Sequence, residues 1–180
     1  MGYAELGGRH GSRAEEYLEK IRSVLADMEE TIAYTLGESP HDEPAAEEPE
    51  NIEALKGKRV LLVDDNKLNR EILKEVLIDH GLLVEEANDG SKAVAAVKAN
   101  EPGYYHVVLM DIEMPVMDGF EATMNIRKLP NRIRANIPII ALTANAVPEN
   151  RESATVAGMD DFLVKPTNSA RLLRSLAKFL

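Results

Sequence analysis

From Lys58 onward, short apolar runs alternate with longer segments whose apolar residues recur at helical spacing. Continuous apolar runs of this length, bounded by turn residues, predict strands that are buried on both faces. The five predicted strands occupy residues 58–64, 82–87, 104–110, 137–142 and 161–164. The five predicted helices are Asn66 to His80, Gly90 to Asn100, Asp118 to Leu129, Pro148 to Ala157 and Asn168 to Leu180. This alternation predicts an α/β fold with a doubly wound parallel sheet.

Local signals support three of the helix starts. Asn66 is a favoured N-cap residue, and Asp118 with Glu121 has the spacing of a capping box. Pro148 is tolerated in the first turn of a helix because its missing N–H would have no partner there. The run at 82–87 holds two glutamates and is less apolar than the other strands. We therefore expect it at an edge of the sheet.

A separate amphipathic pattern runs from Arg13 to Leu36. Its apolar stripe, at steps of three and four residues, consists of Leu18, Ile21, Leu25, Met28 and Ile32, widened by Tyr17 and Val24. The pattern predicts a helix whose apolar face must be covered by something else. The cover can be the chain's own globular domain, a second copy of the chain or a partner helix. Dimerisation or docking is the role we expect for residues 1–37.

An acidic, proline-rich stretch joins this helix to the alternating region. Residues 38–53 contain seven acidic residues, three prolines and no Lys or Arg, which is typical of an extended linker. The formal charge of -10 belongs wholly to residues 1–53, since residues 54–180 carry 17 acidic and 17 basic residues. The predicted organisation is a helical segment at 1–37, a linker at 38–56 and a globular domain at 57–180.

Composition excludes several classes of protein. The chain has no cysteine, so disulfide bonds, thiol catalysis and cysteine-ligated metal sites are excluded. No apolar run reaches the length that spans a bilayer, and the first residues lack the apolar core of a signal peptide. We expect a cytoplasmic protein without a membrane or nucleic-acid partner.

Polar residues follow four of the five predicted strands. Asp64 and Asp65 end the first strand, Asp111 follows the third, Thr143 follows the fourth and Lys165 follows the fifth. The carboxyl ends of parallel strands meet at one edge of the sheet, where ligands of such folds bind. We therefore expect three carboxylates, a hydroxyl and an ammonium group to converge. The alternative for any single aspartate is that it only caps the helix that follows.

Carboxylates at such close range need a cation. Two unit charges ~4 Å apart repel by ~4 kcal/mol at an effective dielectric of 20. Oxygen ligands without Cys or His favour a hard ion, and a few carboxylates that leave room for water favour Mg²⁺. A divalent cation, a lysine and a threonine around a carboxylate can stabilise a phosphoryl group in transfer. The carboxylate itself can be the nucleophile and become an aspartyl phosphate.

Four segments carry a resemblance to a known family. VLLVDDN at 60–66, VLMDIEMPVMDG at 108–119, IIALTANA at 139–146 and FLVKP at 162–166 resemble the response-regulator receiver domain, in order and in spacing. The resemblance covers residues 57–180 and is closest to receivers attached to hybrid histidine kinases. It implies a flavodoxin-like fold with five parallel strands in the order 2-1-3-4-5 and five helices around them, preceded in this chain by the amphipathic helix that the apolar pattern predicts.

The resemblance also implies roles for the site residues. Asp111 would accept a phosphoryl group from a phosphohistidine on a partner. Asp65 and Asp111 would ligate Mg²⁺ together with the backbone carbonyl of Glu113, and Asp64 would act mainly through bound water. The two remaining polar groups and an aromatic residue would form the switch: Lys165 pairs with the phosphoryl group, Thr143 moves towards it, and Phe162 turns into the vacated space. Phosphorylation adds about two negative charges at one rim and so drives this change.

The N-terminal segment resembles a second module. GYAEL at 2–6 and the helix at 13–36 are similar to the end of a histidine-kinase dimerisation hairpin, without its phosphorylatable histidine or an ATP-binding domain. We therefore do not expect phosphorylation from ATP by the chain itself. The partners implied are a sensor histidine kinase or a histidine phosphotransfer protein, with a possible homodimer through the 13–36 helix.

The sequence is compatible with three hypotheses of function. The first is a signalling switch or relay that only phosphorylates itself from a phosphodonor and dephosphorylates, without turning over a separate substrate. The second is an interaction scaffold that is never phosphorylated, or a fragment of a hybrid histidine kinase. The third, a phosphatase or other enzyme on the same fold, lacks a second acid/base pair and a DxD nucleophile motif.

Overall fold

The computed structural model describes residues 52–144, 148–165 and 167–180. The predicted N-terminal helix at 13–36, the dimer proposed through it and residues 38–51 of the linker lie outside these ranges. The domain boundaries predicted from the sequence therefore stay predictions. All of the predicted strands and helices of the globular domain begin and end within the described part.

The described strands form one parallel sheet in the order β2-β1-β3-β4-β5. The strands are β1 Arg59–Val63, β2 Leu83–Ala87, β3 Val107–Asp111, β4 Ile139–Thr143 and β5 Asp161–Val164. The predicted doubly wound fold and strand order are confirmed. Strand β2 lies at an edge as its glutamates indicated, whereas β1, β3 and β4 have neighbours on both sides. Their near-complete burial explains why they are continuous apolar runs.

All five predicted helices are present, with one more than expected. The α-helices are α1 Lys67–Asp79, α2 Gly90–Ala99, α3 Gly119–Arg127, α4 Arg132–Ala135, α5 Pro148–Ala157 and α6 Ser169–Ala177. The unexpected α4 is a single turn that Asn131 caps by accepting hydrogen bonds from the N–H groups of Ile133 and Arg134. Four residues are too few to show helical periodicity. None of the helices within the described ranges has the length and apolar character of a bilayer-spanning segment.

The predicted caps form at the helices that flank the polar strand ends. The side chain of Asn66 accepts hydrogen bonds from the N–H groups of Leu68 and Asn69 at the start of α1. Asp118 accepts from the N–H of Glu121 at 2.7 Å at the start of α3. Each cap satisfies backbone donors that the helix leaves without a partner, and fixes where the chain turns from strand to helix.

Apolar side chains cover both faces of the sheet. Alternate residues of β1 enter different clusters, with Leu61 and Val63 on one face and Val60 and Leu62 on the other. Leu55, in a 3₁₀ helix at Ile52–Leu55, is fully buried in the cluster that contains the apolar face of α6. Leu55 therefore packs against the globular domain, although it lies within the stretch at 38–56 that we predict to be the linker.

A largely buried arginine ties the far end of α3 to the sheet. Arg127 donates hydrogen bonds at 2.7–2.8 Å to the carbonyl oxygens of Gly158, Ala135 and Ile137. It also pairs with Asp160 at 2.8 Å, whose carboxylate accepts the N–H of Ile139. One guanidinium group therefore links α3 to the segments that enter β4 and β5.

Candidate functional site

Three carboxylates meet at the carboxyl edge of the sheet. Val63 of β1 lies beside Met110 of β3, so Asp64, which follows β1, and Asp111, which ends β3, lie side by side. Oxygen atoms of Asp64, Asp65 and Asp111 lie within 4.8 Å of one another. The arrangement is the convergence that the strand-end pattern predicted.

The two aspartates of β1 have different environments. Asp64 is fully buried, and its carboxylate accepts the backbone N–H of Asn66 at 2.8 Å. Asp65 is exposed and faces solvent at the rim. Because Asp64 is buried, its carboxylate contacts only groups of the protein, whereas the carboxylate of Asp65 can bind a ligand that approaches from solvent.

Arg70 supports this loop from the first turn of α1. Its Nη1 donates to the carbonyl oxygens of Asp64 and Asp65 at 2.7 and 3.2 Å, and its Nε donates to Glu86 at 3.3 Å. Arg70 is a residue of the site that we did not expect from the sequence. Its spacing of one helical turn from the cap Asn66 was the available signal, because this places its side chain back over the preceding loop.

Lys165 neutralises the buried part of the cluster. Its Nζ lies 2.5 Å from Oδ2 of Asp64 and 2.8 Å from Oδ2 of Asp111. Its backbone N–H donates to the carbonyl oxygen of Thr143 at 2.6 Å, across the pairing of β4 with β5. Lys165 therefore joins both the carboxylates and the strand that carries the threonine.

Burial makes the ionised form of Asp111 unfavourable. The residue is 6% exposed, and desolvation is the main reason that its pKa rises from the ordinary 3.8 to about 6. The attraction of Lys165 opposes this rise, and the negative charges of Asp64 and Asp65 add to it. A cation at this rim would favour the ionised carboxylate, which is the nucleophilic form.

Replacing Asp111 with asparagine is expected to stabilise the metal-free protein at about pH 8 by about 3 kcal/mol. The raised pKa means that ionised Asp111 opposes folding. This cost is absent below the unfolded-state pKa of 3.8, grows as the pH rises towards about 6 and is complete above it. Urea unfolding in EDTA at about pH 4 and about pH 8 measures the difference. An equal effect of the substitution at both pH values would contradict the assignment.

Thr143 and Phe162, the two residues of the predicted switch, are both buried. Thr143 is fully buried at the end of β4. Phe162 is 8% exposed and belongs to the same apolar cluster as Val108 and Met110 of β3, with the Arg151 guanidinium 5.7 Å from its ring centre. The aromatic ring thus lies inside in this structure. Its movement as a switch stays a prediction.

Glu113 lies two residues beyond Asp111, and its side chain is exposed. The role predicted for Glu113 concerns its backbone carbonyl and stays a prediction. The three carboxylates of Asp64, Asp65 and Asp111 are suited to bind a hard cation, because all of their ligand atoms are oxygens and Asp65 faces solvent.

The loop from Asp111 to α3 contains a turn that the sequence did not indicate. The N–H of Met117 donates to the carbonyl oxygen of Pro115 at 2.9 Å, which closes a turn around Val116. Val116 has a φ of 72° and is 86% exposed. An exposed valine with positive φ lies in the loop that follows the central carboxylate.

This arrangement of strands and site residues matches a known protein family. Residues 60–177 match the family model described as the response regulator receiver domain. The chain belongs to the response-regulator receiver family. The match includes every residue of the acidic cluster together with Thr143 and Lys165.

Curated relatives of this receiver domain include histidine kinases. Hybrid signal transduction histidine kinase B of Dictyostelium discoideum is 38% identical over 129 residues, which cover 67% of this chain and 6% of that protein. The chain spans 6% to 14% of the length of this kinase and of the sensor histidine kinase GacS of Pseudomonas protegens. The likeness therefore concerns the receiver portion of much longer proteins.

Solved receivers share the fold over nearly their whole length. The receiver domain of sensor histidine kinase PA1611 from Pseudomonas aeruginosa, with magnesium coordinated in its active-site cleft, is 40% identical with a TM-score of 0.62. It aligns over 68% of this chain and 97% of its own. A chain of the Saccharomyces cerevisiae complex between the phosphotransfer protein Ypd1 and the Ssk1 receiver is 29% identical, with a TM-score of 0.61, and aligns over 69% and 90%.

Proposed function

We propose that this receiver domain is a phosphorylation-dependent switch or relay of a two-component system, in which Asp111 accepts a phosphoryl group from a phosphohistidine of a partner protein. The observation that carries the proposal is the grouping of Asp111 with Asp64 and Asp65 within 4.8 Å, beside Lys165 at 2.8 Å. Asp111 lies among other negative charges. A negatively charged phosphoryl group can therefore approach it only when cations, such as the Lys165 ammonium and a metal ion, offset those charges.

The transfer would be a direct displacement at phosphorus. A carboxylate oxygen of Asp111 forms the new P–O bond as the P–N bond to the imidazole breaks, and the electron pair of that bond stays on nitrogen. The products are an acyl phosphate and a histidine without its phosphoryl group. The ionised carboxylate is required, and the raised pKa of Asp111 in the metal-free protein makes its reactivity dependent on neighbouring positive charge.

Mg²⁺ is the cofactor that we propose for this site. Asp65 and Asp111, with the backbone carbonyl of Glu113, would ligate it directly, because hard oxygen ligands are those that Mg²⁺ prefers. Asp64 would act mainly through bound water. When bound, the ion supplies positive charge to the phosphoryl oxygens. The magnesium in the PA1611 receiver supports this choice.

Two further residues would respond to the phosphoryl group. Lys165 bridges two carboxylates in this structure, and a phosphoryl group on Asp111 would offer its ammonium a new anionic partner. Thr143 would donate its hydroxyl to a phosphoryl oxygen. Because the backbone of Lys165 donates to the carbonyl of Thr143 at 2.6 Å, we expect the two residues to move together, with Phe162 following.

We propose a sensor histidine kinase or a histidine phosphotransfer protein as the phosphodonor. The long hybrid kinase relatives and the Ypd1–Ssk1 complex support this class of partner. The proposal does not require any catalytic machinery in the partner beyond a phosphohistidine, since the acceptor site supplies the nucleophile.

Incubation with acetyl phosphate and Mg²⁺ is expected to phosphorylate the protein, and the Asp111→Asn variant is expected to show only background labelling. Intact-mass spectrometry measures the added phosphoryl group. Asp118→Asn is the matched control, because Asp118 lies in the same loop but only caps α3. It is expected to label like the unmodified protein, and EDTA is expected to abolish labelling in both.

Two outcomes would contradict the proposal. Labelling that persists in Asp111→Asn would place the acceptor on another residue. An unmodified protein that takes no phosphoryl group from acetyl phosphate or phosphoramidate in the presence of Mg²⁺ would favour the scaffold reading instead.

A further inference from the structure

A cavity of about 480 Å³ opens at the edge of the sheet opposite the acidic cluster. Because the strands are parallel, the residues that precede them gather at this amino edge, as the aspartates gather at the carboxyl edge. Lys58 precedes β1, His106 precedes β3 and Pro138 precedes β4, and all three line the cavity. Its volume lies within the range of small-molecule sites in proteins. The domain therefore has a second concave surface, which the phosphoryl chemistry does not use.

The walls of this cavity are mainly apolar. Tyr105 and Ile137 line it and are themselves buried, whereas Ile133 of α4 is 62% exposed at its border. Phe179 contributes to the wall from the segment that follows α6. Apolar and aromatic walls can cover the body of an organic molecule, and a few polar groups then decide which molecule is bound.

Two cationic side chains line the same cavity without an anionic partner. Neither Lys58 nor Arg132 forms an ion pair or a side-chain hydrogen bond with any residue in the described ranges. By contrast, the adjacent Arg59 pairs with Glu85 at 3.2 Å. Of the described residues that line the cavity, none has an acidic side chain. The cavity thus carries two unpaired positive charges beside its apolar walls, and these charges favour an anionic ligand.

His106 adds a neutral hydrogen-bond donor. Its Nδ1 accepts the backbone N–H of Arg59 at 3.1 Å, and its own backbone N–H donates to the carbonyl oxygen of Arg59 at 2.8 Å. Burial lowers the pKa of His106, and the charge of Lys58 lowers it further. A neutral imidazole whose Nδ1 accepts a hydrogen bond carries its hydrogen on Nε2. The hydrogen bond to β1 therefore fixes the tautomer in which Nε2 is the donor.

We propose that this cavity binds a small organic anion with an apolar body, of the class of aromatic carboxylates. Lys58 and Arg132 would pair with the carboxylate, and a guanidinium group can do so through two parallel hydrogen bonds. The apolar wall at Ile133 would cover the ring. The neutral His106 would donate a hydrogen bond without adding a third positive charge. This inference does not depend on phosphoryl transfer, because Asp111 lies at the other edge of the sheet.

Titration of the ¹⁵N-labelled full chain with 1-naphthoate tests the inference, and the uncharged 1-naphthamide, which has the same ring, is the matched ligand. Naphthoate is expected to shift the amide resonances of His106 and Asn136 in NMR spectra and to bind about tenfold more tightly than naphthamide. Lys58→Met and Arg132→Met are each expected to raise the Kd of naphthoate about tenfold and to leave that of naphthamide unchanged. Lys98→Met is the control, because Lys98 also has no ion-pair partner among the described residues but lies on α2, outside the cavity.

A further variant tests the apolar wall. Ile133→Gln is expected to weaken the binding of both ligands, and the exposure of Ile133 means that this change leaves the core intact. An unchanged Kd of naphthoate in both cation variants would overturn the inference, as would equal Kd values for naphthoate and naphthamide. Shifts confined to amides outside the cavity, or no shift at the solubility limit of naphthoate, would also overturn it. Binding of hexaglutamate at the same amides without binding of naphthoate would assign the cavity to acidic peptides instead.

Discussion

Replacing Lys165 with methionine is expected to lower the free energy of unfolding of the metal-free protein by about 3 kcal/mol at about pH 8. The ammonium group lies between two buried carboxylates, 2.5 Å from Asp64 and 2.8 Å from Asp111. Without it, two negative charges remain inside with no counter-charge. Because Lys165 also lowers the pKa of Asp111, its loss raises that pKa further, and the cost should shrink on acidification as Asp111 is protonated.

Urea unfolding in EDTA at about pH 8 and about pH 5 measures this effect. Lys178→Met is the control, because Lys178 pairs with Asp161 at 2.9 Å but is 62% exposed, so its removal should cost less than about 1 kcal/mol. Addition of Mg²⁺ is expected to recover part of the stability of Lys165→Met and none of that lost in Lys178→Met. Equal costs for the two variants would show that Lys165 behaves as a surface cation.

Replacing Gly119 with alanine is expected to cost about 3 kcal/mol in the free energy of unfolding and to slow labelling of Asp111 by acetyl phosphate. A Cβ at this position would lie 2.1 Å from the carbonyl oxygen of Asp111 and 3.0 Å from Cα of Ile112. Both neighbours are backbone atoms, so no side chain can rotate away. The strand end that carries the acceptor, or the start of α3, must shift instead.

Gly103→Ala separates this clash from the general cost of replacing a glycine. A Cβ at Gly103 meets no atom within 4 Å, although the residue has a φ of 86°. Backbone strain alone should therefore cost about 1 kcal/mol without any change in labelling. If Gly119→Ala is no more damaging than Gly103→Ala in urea unfolding, the close approach to Asp111 does not constrain the site.

Apolar runs and strand ends made most of the sheet and the acidic cluster predictable. Strands such as Val107–Asp111 are buried at every position, so their sequence is a continuous apolar run that ends in one aspartate. Parallel pairing then brings Asp64, which follows β1, next to Asp111 at the end of β3, whatever the details of packing. The convergence of Asp64, Asp65 and Asp111 follows from topology, which is why it could be expected without coordinates.

Contacts that charged side chains make with residues far away in the sequence could not be predicted from strand ends and apolar runs. At the end of α3, Arg127 resembles an ordinary exposed cation beside a helix terminus, yet the structure shows it largely buried with backbone partners. Glu85 looks like a solvent-facing residue of an edge strand but accepts hydrogen bonds from the hydroxyls of Tyr104 and Tyr105. The positive φ of Val116 has no sequence signal, because valine disfavours it.

The guanidinium of Arg127 has a mechanical consequence for β4 and β5. It fastens the segments that enter these two strands, through Ile137 on one side and through Gly158 and Asp160 on the other. The opposite ends of the same strands carry Thr143 and Lys165. Arg127 thus fixes β4 and β5 at their entry ends, while their carboxyl ends carry the two residues that we expect to respond to phosphorylation. We therefore expect that a displacement of Thr143 and Lys165 would not be relieved by sliding of β4 and β5 at their entry ends, which Arg127 holds.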